Sequence, residues 1–203
     1  MNIELHQGDL PASVSFGPIL AMDTEAMGLH PKRDRLCLAQ MTDGSGTVHL
    51  VKFGPPPVTA PNLAAVLANP KVLKLFHFAR FDIALLKAYL GVDVAPVYCT
   101  KIASKLTRTF TDRHGLKDLV RELTGVDLSK QQQTSDWGAA SLTQAQLEYA
   151  ASDVVHLHKL KEALDGLLAR EGRKQLAQAC FDFLPTRAKL DLLDWAEDDV
   201  FSH

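Results

Sequence analysis

Two carboxylates follow directly after an apolar segment near the start of the chain. Asp23 and Glu25 come after Ile19–Met22 and are separated by a single residue, Thr24. Side chains two apart on a strand project from the same face, so both carboxylates are expected to point the same way. Adjacent carboxylates repel unless a cation lies between them, and hard divalent ions such as Mg²⁺ prefer these oxygen ligands. Taken alone, the pair is more typical of a solvated strand end.

Two further carboxylates and one tyrosine have positions that suit the same chemistry. Asp82 follows the buried strand predicted at Val72–Phe76 and lies in the first turn of the next helix, where a carboxylate also suits the helix dipole. Tyr149 and Asp153 are four residues apart on a predicted long helix, so the phenol and the carboxylate share one face. Both border the apolar stripe of that helix, which directs them toward the sheet. Packing alone would also explain the tyrosine.

The elements that must position these residues are predicted from hydrophobic spacing and turn residues. Three strands, Ile19–Met22, Leu36–Met41 and Val48–Val51, indicate an opening β-meander, and two more are expected at Val72–Phe76 and Val97–Tyr98. The predicted helices are Pro61–Ala68, Ala79–Leu90, Thr100–Leu106, Leu116–Leu123, a long helix from a Thr143 cap to Gly172, Gln175–Phe183 and Ala188–Trp195. This order predicts an α/β fold with a mixed β-sheet flanked by helices.

The three acidic motifs together resemble those of the DEDD exonuclease superfamily, in the branch with a tyrosine before the last aspartate. Asp23-x-Glu25, Phe81-Asp82 and Tyr149-x-x-x-Asp153 stand in the order of its three motifs. The stretch Gln132-x-x-Ser135-Asp136-Trp137 is similar to a loop of ribonuclease D. The compact length and the ending Asp191-Leu192-Leu193-Asp194-Trp195 are more similar to the nanoRNase C family of short relatives. One departure is Phe78, where many relatives of ribonuclease D have asparagine.

This resemblance implies a ribonuclease H-like fold and a 3′→5′ exoribonuclease activity. Four carboxylates (Asp23, Glu25, Asp82 and Asp153) would hold two Mg²⁺ or Mn²⁺ ions, as two-metal phosphoryl transfer requires. Tyr149 would orient the attacking water, and the products would be nucleoside 5′-monophosphates. The exonuclease domain would span residues 1–174. Residues 175–203 would form a C-terminal helical extension that packs on the domain or on a partner subunit of a homo-oligomer.

The resemblance also suggests side chains that contact the substrate. Leu29 would wedge against the terminal bases, although a core residue at a turn is an equally good interpretation. His77 could reach a phosphate or a ribose hydroxyl, but the sequence slightly favours a core histidine with satisfied hydrogen bonds. The loop residues that could cap the substrate are Lys130, Gln132, Ser135 and Trp137, and the glutamine run among them is also compatible with a solvated linker.

Composition restricts the substrate and the compartment. The 203 residues carry a formal net charge of −2, whereas proteins that bind long nucleic acid usually have a basic excess. A short RNA or a dinucleotide is therefore the expected substrate. Three scattered cysteines form no CxxC pair, and neither a secretory signal nor an apolar run of about 18 residues is evident, so a cytoplasmic protein without membrane contact is expected.

Three alternatives remain beside an exoribonuclease. A DNA 3′→5′ exonuclease would use the same carboxylates, since discrimination depends on contacts with the 2′-hydroxyl that the sequence does not reveal. A silent oligonucleotide-binding module would typically have lost a metal ligand, and all four carboxylates and the tyrosine are present. A metal-independent hydrolase is disfavoured because no Ser-His-Asp or Cys-His arrangement stands out.

Overall fold

A six-stranded mixed sheet organises the chain. The computed structural model describes residues 1–129, 131–132 and 134–202. The strands are β1 (Asn2–Gln7), β2 (Ile19–Ala26), β3 (Leu36–Thr42), β4 (Thr47–Lys52), β5 (Leu73–Phe76) and β6 (Val97–Cys99). Their spatial order is β1-β4-β3-β2-β5-β6. The β2-β3-β4 meander is antiparallel, while β1 pairs with β4, β5 with β2, and β6 with β5 in parallel.

Seven helices are present in the described part of the chain, and the predicted mixed sheet flanked by helices is confirmed. They are α1 (Pro61–Ala68), α2 (Ala79–Leu90), α3 (Thr100–Thr107), α4 (Leu116–Thr124), α5 (Gln144–Val155), α6 (Leu157–Arg170) and α7 (Lys174–Leu192). The predicted start of α5 is also confirmed, because Thr143 and Gln146 form a reciprocal capping box. Gly91 ends α2 in the left-handed conformation that favours glycine.

The two central strands are buried because their sequences are almost continuously apolar. Every residue of β3 is buried, and β2 is buried through Leu20, Ala21 and Met22. Strand β2 is flanked on one side by an antiparallel strand and on the other by a parallel strand. Its carboxyl end therefore lies beside the end of β5, where α2 begins. This arrangement brings separate parts of the sequence to one place.

Two predictions about the elements are wrong, and one strand was not predicted. The strand β1 was not expected, because its pairing with β4 joins residues far apart in the sequence. The predicted long helix is interrupted at His156, although its apolar spacing continues through α6. The two helices predicted at the C-terminus are one helix, α7, which continues through Pro185. Burial of Phe181, Leu184 and Ala188 on both sides of the proline holds that helix together.

The last helix packs on the body of the molecule. It contacts α2, β6, α3 and α6. A two-bond ion pair joins it to the start of α2, since the Arg80 guanidinium donates to both oxygens of Asp191 at 2.7 Å. Arg187 adds a third interaction with Asp191 at 3.0 Å. Within the described ranges, no helix combines the length and the apolar character that crossing a membrane would require.

Candidate active site

Asp23 and Glu25 lie at the carboxyl end of β2, on the same strand and two residues apart. A register shift between Glu25 and Ala26 marks the place where regular pairing with β3 ends. Gln40, the β3 residue opposite Asp23, donates a hydrogen bond from Nε2 to Asp23 Oδ2 at 2.8 Å. This bond fixes the orientation of the first carboxylate.

Asp153 reaches the same point from α5, which packs on β2 and β3. One carboxylate oxygen from each of Asp23, Glu25 and Asp153 can be chosen so that all three lie within 4.8 Å of one another. Tyr149 lies one helical turn earlier on the same helix, close enough to Asp153 to oppose the rise in the pKa of that carboxyl. A group of carboxylate oxygens without nitrogen or sulfur donors suits a hard divalent cation such as Mg²⁺ or Mn²⁺.

Asp82 lies deeper than the other three carboxylates. It is in the first turn of α2 and only 2% exposed. The Thr24 hydroxyl, from the residue between the two acidic positions of β2, donates to Asp82 Oδ1 at 2.6 Å. Asp82 is close enough for its charge to raise the pKa values of Asp23 and Glu25.

The electrostatics of this cluster favour protonation in the absence of metal. Burial, followed by the charges of Asp82 and Asp153, raises the pKa of Asp23 well above its ordinary value. Burial and then the charges of Asp153 and Asp82 raise the pKa of Glu25 to about 9. Burial raises the pKa values of Asp82 and Asp153 to about 7, against opposing hydrogen bonds from Thr24 and Tyr149. A cation would reverse this balance by stabilising the charged forms.

Asp23, Glu25 and Asp153 line a cleft of about 640 Å³, within the usual range of small-ligand sites. Tyr149 and two lysines, Lys101 and Lys117, also line it. Burial and the nearby Asp153 raise the pKa of the Tyr149 phenol, so it is a neutral hydrogen-bonding group at neutral pH. The cleft therefore combines oxygen ligands, one phenol and a small number of cations.

Two of the predicted substrate residues lie at the cleft. Leu29 is 88% exposed and lines it, so the alternative that Leu29 is a core residue is wrong. His77 also lines the cleft, and its Nδ1 is 2.9 Å from the Thr100 hydroxyl. Burial lowers the pKa of His77 to about 3, so its imidazole is neutral.

Only some of the predicted loop residues line the cleft. Ser135 and Trp137 line the cleft, whereas Gln132 is not among the lining residues. Ser135 Oγ donates to the Gln132 carbonyl at 2.8 Å, which folds the loop on itself. Trp137 is 3% exposed, its ring lies 6.0 Å from that of Tyr149, and its Nε1 has no partner among the described residues. Lys130 lies outside the described residues.

Several side chains of the site were missed by the sequence analysis. Gln40 is a polar residue within the apolar strand Leu36–Thr42, and this interruption was the available signal. Phe78 and Lys101 line the cleft together, with the Lys101 ammonium 4.0 Å from the centre of the Phe78 ring. Their proximity depends on the packing of β5 against β6 and had no local signal.

Comparison with known proteins agrees with this geometry. The 3′-5′ exonuclease family matches residues 9–169, which is most of the chain. The chain therefore belongs to the 3′-5′ exonuclease family, and within that family it is similar to ribonuclease D and NrnC. The resemblance predicted from the acidic motifs is confirmed, as is the ribonuclease H-like fold.

Three relatives show the extent of the similarity. NrnC of Brucella melitensis, in a structure with bound Mg²⁺, is 51% identical with a TM-score of 0.94, and each chain is covered completely. Another structure of that protein is bound to pGG. Ribonuclease D of Granulibacter bethesdensis is 35% identical over 156 residues, which are 77% of this chain but 39% of that protein. The structure of Escherichia coli ribonuclease D is 26% identical with a TM-score of 0.72 and covers 84% of this chain and 45% of that one.

Proposed function

We propose that this protein is a 3′→5′ exoribonuclease that hydrolyses dinucleotides and very short RNA to nucleoside 5′-monophosphates. The observation that carries the proposal is the convergence of Asp23, Glu25 and Asp153 in one cleft, with Tyr149 against them. Similarity over the whole chain to an NrnC bound to pGG supports a short substrate.

Two divalent ions, Mg²⁺ or Mn²⁺, are the proposed cofactors. The three converging carboxylates and the adjacent Asp82 would hold them, and the raised pKa values show that burial and mutual repulsion disfavour the charged forms without a cation. When bound, the ions supply an activated water and neutralise charge on the leaving 3′ oxygen. Gln40 and Thr24 act by holding Asp23 and Asp82 in place.

Tyr149 is proposed to orient the attacking water. A phenol whose pKa is raised by burial donates or accepts a hydrogen bond but does not deprotonate water at neutral pH. Its contact with Asp153 and its packing against the Trp137 ring hold the hydroxyl beside the carboxylates. The tyrosine therefore contributes position rather than basicity.

The 3′-terminal bases are proposed to lie between apolar side chains. Leu29 and Phe78 are both exposed in the cleft, which is where a base needs a surface to stack on. Stacking on such surfaces tolerates every base, as an enzyme that degrades any sequence requires. Lys101, above the Phe78 ring, keeps that ring in place and adds positive charge.

Polar contacts to phosphate or ribose are proposed for Trp137, His77 and Ser135. The buried Trp137 indole has an N–H without a partner in the described residues, and leaving such a donor unpaired is costly. A ligand oxygen in the cleft would satisfy it. Neutral His77 would contribute a hydrogen bond rather than a charge.

The C-terminal residues are proposed to mediate self-association. Trp195 is 48% exposed within the single chain. Leu193 and Phe201, which follow α7, are also exposed, and this supports self-association through the residues after α7, while α7 itself packs on its own domain. Light scattering would give a multiple of the chain mass under this proposal. A cytoplasmic location is proposed from the three free cysteines.

The decisive experiment for the proposed function is product analysis on short RNA. Purified protein with Mn²⁺ should release nucleoside 5′-monophosphates from the 3′ end of a 5′-labelled trinucleotide, and EDTA should stop the reaction. Asp153→Asn should abolish release, whereas Asp182→Asn, an exposed aspartate on α7, should retain it. Release of 3′-monophosphates, or unchanged turnover in Asp153→Asn, would refute the proposal. A matched deoxyribonucleotide tests the DNA alternative.

A further inference from the structure

A second group of potential ligands lies on strands β1 and β4. Glu4, His6 and His49 each offer a donor atom, and these atoms lie within 4.8 Å of one another. His6 Nε2 is 3.1 Å from His49 Nδ1, which in turn is 3.5 Å from Glu4 Oε2. The spacing follows from the strand register, since Glu4 is paired with His49 and His6 is two residues further along the same face.

The distances agree with the edges of a tetrahedral metal site. Zinc binds histidine nitrogen at about 2.0–2.1 Å, which places two nitrogen ligands of a tetrahedron about 3.4 Å apart. The two observed separations, 3.1 and 3.5 Å, lie on either side of that value. The two imidazole rings are stacked with their planes 19° apart, and because imidazole χ2 torsions are broad, the His6 ring can turn to aim its lone pair at the same ion as His49.

When both histidines are neutral, no placement of their protons lets all three facing atoms form hydrogen bonds with one another. His49 Nδ1 faces both a histidine nitrogen and a carboxylate oxygen. If His49 Nδ1 carries a proton, it can donate to only one of these two acceptors. If His6 Nε2 carries the proton and donates to His49 Nδ1, the Glu4 carboxylate receives no hydrogen bond from His49. A cation placed between them satisfies all three atoms at once.

The surroundings already restrict two of the ligands. Asn2 Nδ2 donates to the other carboxylate oxygen of Glu4 at 3.1 Å. The edge of the Phe16 ring packs against the His49 ring, with their centres 5.5 Å apart. Partners of this kind orient ligands and lower the cost of ordering them when an ion binds.

This cluster is separate from the catalytic carboxylates. Across the sheet, Asp23 is paired with Gln40, Gln40 with Leu50, and Leu50 with Leu5. Paired residues share a face and sequential neighbours do not, so Glu4 and His49 project from the face opposite that of Asp23. Strands β4 and β1 are the second and third from β2, or about 10 and 14 Å at the usual strand spacing.

We propose that Glu4, His6 and His49 bind one first-row transition-metal ion, with Zn²⁺ as the best fit and water as a fourth ligand. Two imidazoles and one carboxylate suit zinc, whereas Mg²⁺ prefers oxygen ligands alone. The ion joins the edge strand β1 to β4 and stabilises the folded protein by binding to it selectively.

The test is a Co²⁺ titration of full-length, tag-free protein in excess Mg²⁺, which occupies the carboxylate site. Visible absorption reports nitrogen-ligated tetrahedral cobalt, and equilibrium dialysis counts the ions. Wild-type protein should bind one equivalent with this spectrum. His6→Asn, His49→Asn and Glu4→Gln should each lower its affinity by at least about tenfold, because losing even a supporting partner has such an effect.

Two controls make the result specific. Asp153→Asn should retain the cobalt spectrum because it alters only the carboxylate site, and so should His30→Asn, an exposed histidine outside both clusters. With Mg²⁺ still in excess, Zn²⁺ should raise the melting temperature of the wild type and of both controls more than that of the three ligand variants. Circular dichroism in EDTA checks that those variants are folded. Absence of the spectrum in wild type, or its persistence in all three ligand variants, would overturn the proposal.

Discussion

At the scale of single residues, the negative charge of the cleft and its neutral hydrogen-bonding group come from different side chains. In the proposed function its carboxylates provide the oxygen ligands of the metal ions, while the phenol of Tyr149, whose pKa is raised, provides a neutral hydrogen bond. The two roles can be told apart by substitution. Removing a metal ligand should lower the metal affinity, whereas removing a positioning group should lower the rate of hydrolysis alone.

Tyr149→Phe tests that distinction. The variant keeps the ring that packs against Trp137 and loses only the hydroxyl. We expect a loss of turnover of roughly 10²–10⁴-fold, typical of a group that handles or positions a proton, with Mn²⁺ affinity close to wild type. Single-turnover kinetics and calorimetric Mn²⁺ titration measure the two effects. A fall in metal affinity equal to that of Asp153→Asn would contradict the role of Tyr149.

The pH dependence of metal-free stability follows from the carboxylate cluster. The folded pKa of Glu25 is about 9 and those of Asp82 and Asp153 about 7, against ordinary values of 4.5 and 3.8. The folded state therefore binds more protons than the unfolded state between about pH 4 and pH 9, so stability falls as pH rises through this window.

Asp82→Asn should reduce that fall, because it removes one ionisable group and its repulsion of Asp23 and Glu25. The metal-free variant should melt above wild type near pH 8, with a smaller difference near pH 4. Thermal unfolding in EDTA measures the difference in melting temperature at both pH values. Saturating Mn²⁺ should remove the higher melting temperature of the variant. A variant that melts below wild type at both pH values would be inconsistent with repulsion.

Phe78 combines an unfavourable backbone with an exposed ring. Its φ of 67° is left-handed, which asparagine tolerates better than phenylalanine. Phe78→Asn should therefore raise the free energy of unfolding by up to about 1 kcal/mol and also raise KM for short RNA, since the stacking surface is lost. Phe110→Asn, at another exposed phenylalanine outside the cleft, should do neither. An unchanged KM in Phe78→Asn would remove the ring from the substrate site.

At the scale of elements, the position of α2 depends on α7. Arg80 lies two residues before Asp82, and its guanidinium is held by both oxygens of the mostly buried Asp191. Asp191→Ala would leave Arg80 and Arg187 without this partner. We expect a loss of about 1–3 kcal/mol in stability, the range for hydrogen bonds to charged groups.

The exposed pair of Lys32 and Asp194 provides the matched control. Asp194→Ala removes an ion pair that solvent and salt already screen, so it should change stability much less. Urea unfolding of both variants makes the comparison. Equal losses would show that the Asp191 interactions are no more important than a surface ion pair.

The sequence predicted what local spacing determines and missed what depends on long-range pairing. Asp23 and Glu25 were found because a strand places alternate residues on one face, and the Thr143 cap because its partner is three residues away. The role of Gln40 needed the β2–β3 register, and strand β1 needed a partner 45 residues later. The burial of Trp137 and the exposure of Leu29 likewise depend on how a loop lies on the finished sheet.

At the scale of the whole molecule, charge and cleft size support the same substrate. The net charge of −2 offers little long-range attraction to a polyanion, and the cleft of about 640 Å³ is of small-ligand size. Under the proposed function, the binding energy comes from contacts near the 3′ end, at Leu29, Phe78 and Trp137. Additional nucleotides would add little to these contacts, so we expect the salt dependence of kcat/KM to be weak.

A length series of 5′-phosphorylated RNA tests whether the protein prefers very short substrates. We would measure kcat/KM with Mn²⁺ at moderate salt for chains from two nucleotides upward, and for a single strand of about 20 nucleotides, where phosphate contacts would accumulate. If the protein prefers short RNA, we expect kcat/KM to be highest at two to about four nucleotides and to change little when the salt concentration is raised. More efficient degradation of the long strand than of the dinucleotide would contradict it.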